Sequence, residues 1–146
     1  MTETVLSVKN LTTHFFTRSG VVKAVDNVSF DLAKGEIMGL VGESGSGKTV
    51  TGFSLLGLVD EPGRIVSGSI TLKDKALTSL SNAELRRWRG REISMIFQDP
   101  IATLNPVLTI GRQMRLAIAA HERISARAAE DRATDLLSKV GIPSAR

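Results

Sequence analysis

Three stretches of the chain alternate between apolar and polar residues, which is the pattern of a strand with one buried face. The three stretches are residues 6–11, residues 21–32 and residues 66–72. The first continues to an aromatic pair at residues 15–16. Residues 17–20 have the composition of a turn and separate the first two stretches. We therefore predict that the first two strands form an antiparallel ribbon.

Two other stretches, residues 37–41 and 92–97, are apolar almost throughout. Short continuous apolar runs are typical of parallel strands that are buried on both faces. We predict that both segments are central strands and that they lie beside one another in a parallel sheet.

Four segments carry the start and stop signals of helices. Ser81 and Glu84 have the spacing of a capping box at the start of the second segment, and Gly141 and Pro143 end the fourth. The predicted helices are residues 48 to about 60–63, residues 84–89, residues 109 or 111 to about 120, and residues 126–140.

The composition is ordinary for a globular domain: 146 residues, 42% of them hydrophobic, and no cysteine. The lack of cysteine excludes disulfides and thiolate metal sites. The sequence has no signal peptide and no apolar stretch of membrane-spanning length, so we expect a soluble protein or one held at a membrane by a partner.

The net charge of +4 reflects basic clusters at residues 86–91 and 112–132. For the whole chain a solvated basic surface is favoured over a nucleic-acid footprint. For residues 86–91 we favour a basic helix end that complements the helix dipole, with anionic lipid head groups as an alternative ligand.

The most informative motif has the form G-x-x-x-x-G-K-[ST], and it lies between a predicted strand and a predicted helix. It consists of Gly42, Glu43, Ser44, Gly45, Ser46, Gly47, Lys48 and Thr49. Glycines let the backbone come close to a polyphosphate, and the successive N–H groups form an anion-binding nest at the positive end of the following helix. Lys48 would contact the β- and γ-phosphates, and the Thr49 hydroxyl would ligate Mg²⁺. The motif predicts mononucleotide binding.

Further strings give a family resemblance. They are MIFQDP at residues 95–100, LNP at residues 104–106 and GLVDEPGR at residues 57–64. Together with the ribbon and the phosphate loop, they make the chain resemble the nucleotide-binding subunits of ATP-binding cassette (ABC) transporters, and in particular the ATPases of bacterial dipeptide, oligopeptide and nickel importers. The resemblance implies an α/β fold of the P-loop NTPase, ABC ATPase type. In this fold an antiparallel β ribbon layer and an incomplete parallel core sheet, about residues 1–98, precede the start of a helical subdomain, about residues 99–146.

The resemblance also implies roles for single residues. Gln98 matches the glutamine that contacts Mg²⁺ and the attacking water and reports the nucleotide state to the membrane subunits. Phe15 matches the aromatic residue that stacks on adenine, with Phe16 as the alternative, since alternation along a strand lets only one of the two face the nucleotide. The implied cofactors are ATP and Mg²⁺.

The same resemblance implies partners and a location. Residues 101–114 lie where the family docks onto a coupling helix of the transmembrane permease subunits, although a solvated loop and helix would look the same. A second ATP-binding subunit and, indirectly, a solute-binding protein are expected, and no nucleic acid. The expected location is the cytoplasmic face of the bacterial inner membrane.

Three parts of the family's hydrolytic machinery are missing from the sequence: the L-S-G-G-Q signature, a strand ending in Asp-Glu, and the switch histidine. Asp60 and Glu61 imitate the Asp-Glu strand but continue the predicted phosphate-loop helix without room for a crossover. His14 and His121 are in the wrong order to be the switch. We therefore expect the N-terminal part of an ATPase subunit that binds ATP–Mg²⁺ weakly and hydrolyses it little or not at all.

Other interpretations stay open from the residues alone. A soluble ABC ATPase of DNA repair or translation would share the phosphate loop and Gln98. A P-loop kinase or GTPase is disfavoured by the ribbon ahead of the loop and by the absence of an N-K-x-D motif. A remnant without biochemical function is the third alternative.

Overall fold

The computed structural model describes residues 3–142, and Pro143, predicted to help end the last helix, lies outside them. The chain forms two compact units, the first extending through Ser94 and the second beginning at Met95. No helix within residues 3–142 combines the length and the apolar character needed to cross a membrane.

The first unit is built on a four-stranded antiparallel sheet. Its strands are β1 (Thr4–Thr17), β2 (Gly20–Ala33), β3 (Gly63–Leu72) and β4 (Lys75–Ala76), in the order β2-β1-β3-β4. The alternation of apolar and polar residues predicted the first three strands, and the ribbon of β1 and β2 is confirmed with Thr17 paired to Gly20 at the turn. β1 is the central strand, since it pairs with both β2 and β3.

Apolar side chains from the sheet and from the segment after β4 form the core of this unit. Val8, Leu11 and Ile70 are almost completely buried at its centre. Burying a side chain of this size contributes on the order of 1.5–3 kcal/mol to the free energy of unfolding, so these three positions strongly stabilise the sheet. The remaining buried members are Leu6, Val25, Leu72, Leu77 and Leu85.

Two helices accompany the sheet, α1 (Lys48–Leu56) and α2 (Asn82–Trp88). α1 ends earlier than predicted, because Gly57 adopts a left-handed conformation and its N–H bonds back to the carbonyls of Phe53 and Ser54. α2 begins with the predicted capping box, in which Ser81 and Glu84 each satisfy the other's backbone N–H. Hydrogen bonds from the side chain and backbone of Ser81 lower the pKa of Glu84 below its ordinary value of 4.5.

The two predicted parallel strands are wrong for this structure. Residues 37–41 and 92–97 form no strand, and Ile37, Val41 and Ile96 are 98%, 90% and 92% exposed. An apolar run indicates a preference for burial, but a strand also needs neighbouring backbones with which to exchange hydrogen bonds. Within residues 3–142 these segments have no strand partner; the one ladder contact nearby is an isolated parallel bridge between Arg89 and Ile93.

The second unit contains a loop and two helices, α3 (Ile110–Ala119) and α4 (Ala126–Lys139). Both helices were predicted, and each is capped by a hydroxyl, Thr109 for α3 and Ser125 for α4. Ala129 and Ala133 are buried in α4, and Arg115 of α3 forms an ion pair of 3.8 Å with Glu130 of α4. Because small residues let helices approach closely, the pair forms a packed hairpin.

Candidate functional site

The predicted phosphate loop leads directly into α1. Gly45 and Gly47 have φ angles of +83° and +91°, and the N–H of Ser46 donates to the carbonyl of Glu43 at 3.2 Å. These left-handed glycines turn the chain sharply between residue 42 and the first turn of the helix. The result is a loop that folds back on itself, as an anion-binding nest requires.

Lys48 closes this loop with its side chain. Its ammonium donates to the carbonyls of Gly42 and Glu43, each at 2.7 Å, and lies 3.4 Å from the hydroxyl oxygen of Ser46. Through these three contacts the positively charged ammonium is kept next to the loop. The structure therefore places the ammonium of Lys48 against its own loop, and its contact with phosphates stays a prediction.

The N-terminus of α1 is left open to an anion. Its cap residue is Gly47, which has no side chain to bond the first N–H groups, and the first turn of the helix contains no acidic residue. The side chain of Thr49 is exposed, whereas the hydroxyl of Thr51 bonds to the carbonyl of Gly47 at 3.0 Å. Free N–H groups, a helix dipole and an ammonium at one place fit the oxygens of a polyphosphate.

The sheet holds α1 in place at two points. A Cβ at Gly47 would lie only 2.1 Å from the carbonyl oxygen of Ala24 in β2, so the loop needs glycine there to approach the strand. About two turns further along, the hydroxyls of Thr13 in β1 and Ser54 in α1 share a buried hydrogen bond of 2.9 Å. Sequence analysis missed this pair, because nothing in the spacing of Thr13 and Ser54 connects two hydroxyls 41 residues apart.

The two aromatic candidates have different surroundings. Phe15 is half-buried, and a Cβ at Gly63 would lie 2.6 Å from its ring, so the ring lies closely over this glycine. Phe16 is 39% exposed and has the guanidinium of Arg64 4.2 Å from its ring centroid. Its ring centroid is also 6.3 Å from that of His14.

Gln98 belongs to the second unit, where it is exposed in the loop before α3. The following residues are ordered by Asp99, whose carboxylate accepts from the N–H groups of Ile101 and Ala102, both at 3.1 Å. In the part of the chain that the structure describes, no group of three or more His, Asp or Glu side chains is placed to hold a metal ion. A metal ion bound with the nucleotide would therefore need oxygen ligands other than a carboxylate cluster, such as hydroxyl, amide and phosphate oxygens.

In the basic cluster at residues 86–91, Arg86 and Arg87 lie in the last turn of α2, as the predicted basic helix end requires, whereas Arg89 makes a different contact. The guanidinium of Arg89 bonds to the carbonyls of Leu56 and Gly57 at the end of α1, not to the end of its own helix. The sequence signal was present, because arginines lie in the last turn of α2 and just after it, and a glycine follows α1. What the sequence does not contain is the pairing between them, which depends on the tertiary fold.

Comparisons with known proteins show the family to which the chain is related. A family model described as "ABC transporter" matches residues 25–146. The chain is 48% identical over 143 residues to the oligopeptide transport ATP-binding protein AppD of Bacillus subtilis (strain 168), covering 97% of this chain and 44% of AppD. It is 49% identical over 142 residues to the dipeptide transport ATP-binding protein DppD of the same organism, covering 97% of this chain and 42% of DppD.

A solved structure gives the same result at the level of the fold. The dimeric ATP-binding cassette MJ0796, in a post-hydrolysis state bound to ADP and Pi, superposes with a TM-score of 0.75 at 24% identity. The match covers 91% of this chain and 56% of that one, which confirms the ABC ATPase fold class. The chain spans less than half the length of the two curated relatives, at 44% and 42%.

Proposed function

Since this chain belongs to the ABC transporter family, we propose that it supplies the ATP-binding site of an importer that takes up peptides, or nickel or a similar solute. The observation that carries the proposal is the loop of residues 42–49, folded around the Lys48 ammonium at the open N-terminus of α1. The transport names of the relatives support the importer over the nucleic-acid alternative.

The triphosphate of ATP would lie in the loop. Its oxygens would accept from N–H groups of residues 45–49, with the Ser46 N–H giving up its bond to the Glu43 carbonyl. The Lys48 ammonium would exchange its bonds to the Gly42 and Glu43 carbonyls for bonds to the β- and γ-phosphates. Because the loop is already folded before the ligand arrives, little ordering entropy opposes binding.

Mg²⁺ fits the donor set that the chain offers. Thr49 provides an exposed hydroxyl and Gln98 an exposed amide oxygen, and hard oxygen ligands together with phosphates suit this ion. When bound, Mg²⁺ would neutralise charge on the phosphates and so favour phosphoryl transfer. The part of Thr49 would be to supply one ligand oxygen, and the family role of Gln98 would be to orient the attacking water.

The adenine would stack on Phe15. A π-face gives a nucleobase an apolar surface, and the half-buried Phe15 ring is already fixed against Gly63. Phe16 is the alternative, but Arg64 covers one face of its ring. Stacking would add affinity for the base without touching the phosphates.

Coupling to transport would involve the second unit. Gln98 would report the presence of the γ-phosphate, and residues 101–114, largely exposed, would dock onto transmembrane permease subunits. A second ATP-binding subunit would complete a dimer, with a solute-binding protein acting indirectly at the other side of the permease. ATP hydrolysis by the assembled transporter, not by this chain alone, would then drive uptake, with this chain on the cytoplasmic face of the bacterial inner membrane.

The direct test is calorimetric titration of the chain with ATP and Mg²⁺. Replacing Lys48 with alanine removes the one ammonium of the loop, and we expect the affinity to fall at least about tenfold, or about 1.4 kcal/mol. Lys9→Ala, which removes an exposed lysine on β1, is the matched control and should leave the affinity unchanged. Equal affinities for all three proteins would overturn the proposal.

A further inference from the structure

Arg89 binds the end of the helix that begins at the phosphate loop. Its Nε donates to the Leu56 carbonyl at 2.7 Å, and its Nη2 donates to the Gly57 carbonyl at 2.6 Å. The last carbonyls of a helix lack partners within the helix, so they are free to accept such bonds. One planar guanidinium therefore holds two consecutive carbonyls at the C-terminus of α1.

α1 supplies no cation of its own for this task. Its own last turn contains no basic residue, and it ends through the left-handed Gly57. A Cβ at Gly57 would lie 2.7 Å from Cδ1 of Leu85 and 3.3 Å from Nη2 of Arg89. The absence of a side chain at Gly57 therefore lets α2 and the arginine that follows it pack directly on the helix end.

The backbone of Arg89 is itself well supported. Its N–H bonds to the carbonyl of Leu85 at 3.0 Å, and it forms a parallel bridge with Ile93. Arg89 is half-buried, whereas Arg86, Arg87 and Arg91 of the same cluster are exposed. Only Arg89 of these four is placed against α1 by the bonds described above.

The position of this contact gives it a role in ligand binding. α1 has nine residues and is about 13 Å long, so it is marginal as a helix on its own. Gly47 and the Thr13–Ser54 bond hold the side that faces the sheet. Arg89 holds the far end, and its charge offsets the negative end of the helix dipole.

We propose that Arg89 is a positioning residue for nucleotide binding: by clamping the C-terminus of α1, it keeps the N-terminal amides of that helix aimed at the phosphates. The proposal rests on the function proposed above, because it concerns the same site. It predicts that a side chain remote from the ligand controls affinity through the helix between them.

The test compares ATP affinity in the unmodified chain, Arg89→Ala, Arg89→Lys and the control Arg87→Ala, at a temperature where circular dichroism shows each to be folded. Two hydrogen bonds from a charged group are lost in Arg89→Ala, so we expect its affinity to fall about tenfold. Arg89→Lys retains the positive charge but lacks the planar guanidinium that bonds two carbonyls. Its ATP affinity should lie between those of the unmodified chain and Arg89→Ala. Arg87→Ala should bind as the unmodified chain does.

Chemical rescue tests whether a guanidinium group at the vacated site is what restores ATP binding. Millimolar guanidinium chloride should restore most of the ATP affinity of Arg89→Ala, since the ion can occupy the vacated site, while sodium chloride at the same concentration should not. Amide hydrogen exchange should show faster exchange along α1 in Arg89→Ala and recovery with guanidinium.

The outcomes distinguish this inference from the function on which it rests. If the unmodified chain fails to bind ATP, the proposed function falls and this inference with it. If the unmodified chain binds and Arg89→Ala binds equally well, or Arg87→Ala loses as much affinity, or guanidinium restores nothing, then Arg89 is not a positioning residue and the proposed function stands. Should Arg89→Ala not fold, an Arg89→Lys protein that binds ATP as tightly as the unmodified chain would overturn the inference.

Discussion

At the scale of single residues, glycines determine how close the phosphate loop comes to the sheet. Gly45 and Gly47 both have positive φ angles, but only Gly47 faces a neighbour, the Ala24 carbonyl oxygen 2.1 Å from where a Cβ would lie. The two positions therefore separate the cost of a left-handed conformation from the cost of a steric clash.

We predict that Gly47→Ala destabilises the chain far more than Gly45→Ala does. Gly45→Ala pays only the left-handed penalty, about 1–2 kcal/mol. Gly47→Ala adds overpacking against a strand backbone, a further 1–3 kcal/mol or so. Urea unfolding followed by circular dichroism measures both, and equal losses would show that the loop does not lie against β2 as described.

Single residues also mark the limit of inference from sequence. The capping pair Ser81 and Glu84 follows from spacing, because the two partners are three residues apart. The bond of Arg89 to Leu56 spans 33 residues, and that of Thr13 to Ser54 spans 41. No local pattern contains such pairs, so the structure was needed to find them.

At the scale of elements, the capping box of α2 connects stability to pH. The Ser81 hydroxyl accepts from the Glu84 N–H at 3.3 Å, and the Glu84 carboxylate accepts from the Ser81 hydroxyl and N–H at 2.7 and 2.9 Å. These bonds lower the pKa of Glu84 in the folded chain. The stability they provide is therefore present above pH 4.5 and is lost as the pH falls through the lower, folded-state pKa.

We predict that Ser81→Ala lowers the free energy of unfolding by about 1 kcal/mol at neutral pH. The difference from the unmodified chain should narrow as the pH falls below 4.5 and through the lower pKa that Glu84 has in the folded unmodified chain. Thr78→Ala, an exposed change in the preceding turn, is the control. Denaturant unfolding at pH 7 and at pH 3.5 provides the comparison, and a difference that grows on acidification would contradict the assignment.

Helices and strands were predicted well where their hydrophobic pattern was clear and the segment they pair with was close in sequence. β1 and β2 pair across a two-residue turn, and α4 starts and ends near its predicted bounds. Residues 37–41 and 92–97 were predicted wrongly as strands, because an apolar run reports how much a segment gains by burial and not whether a partner strand is at hand.

At the scale of the whole molecule, the antiparallel sheet serves as a platform for one loop and one helix. Val8, Leu11 and Ile70 fix the sheet, and β1 and β2 then hold Ser54 and Gly47 of the loop–helix segment. The family resemblance predicted the fold class, and the match to a solved ABC cassette confirms it. The assignments of Phe15 and Gln98 to ATP stay predictions.

The central claim is that residues 45–49 bind the phosphates of ATP, and backbone amide NMR of the chain tests it most directly. On addition of ATP with Mg²⁺ we expect the largest shifts at the amides of residues 45–49, with adenosine alone producing no such shifts because it has no phosphate. ATP-dependent shifts confined to other parts of the chain, with residues 45–49 unchanged, would contradict the account.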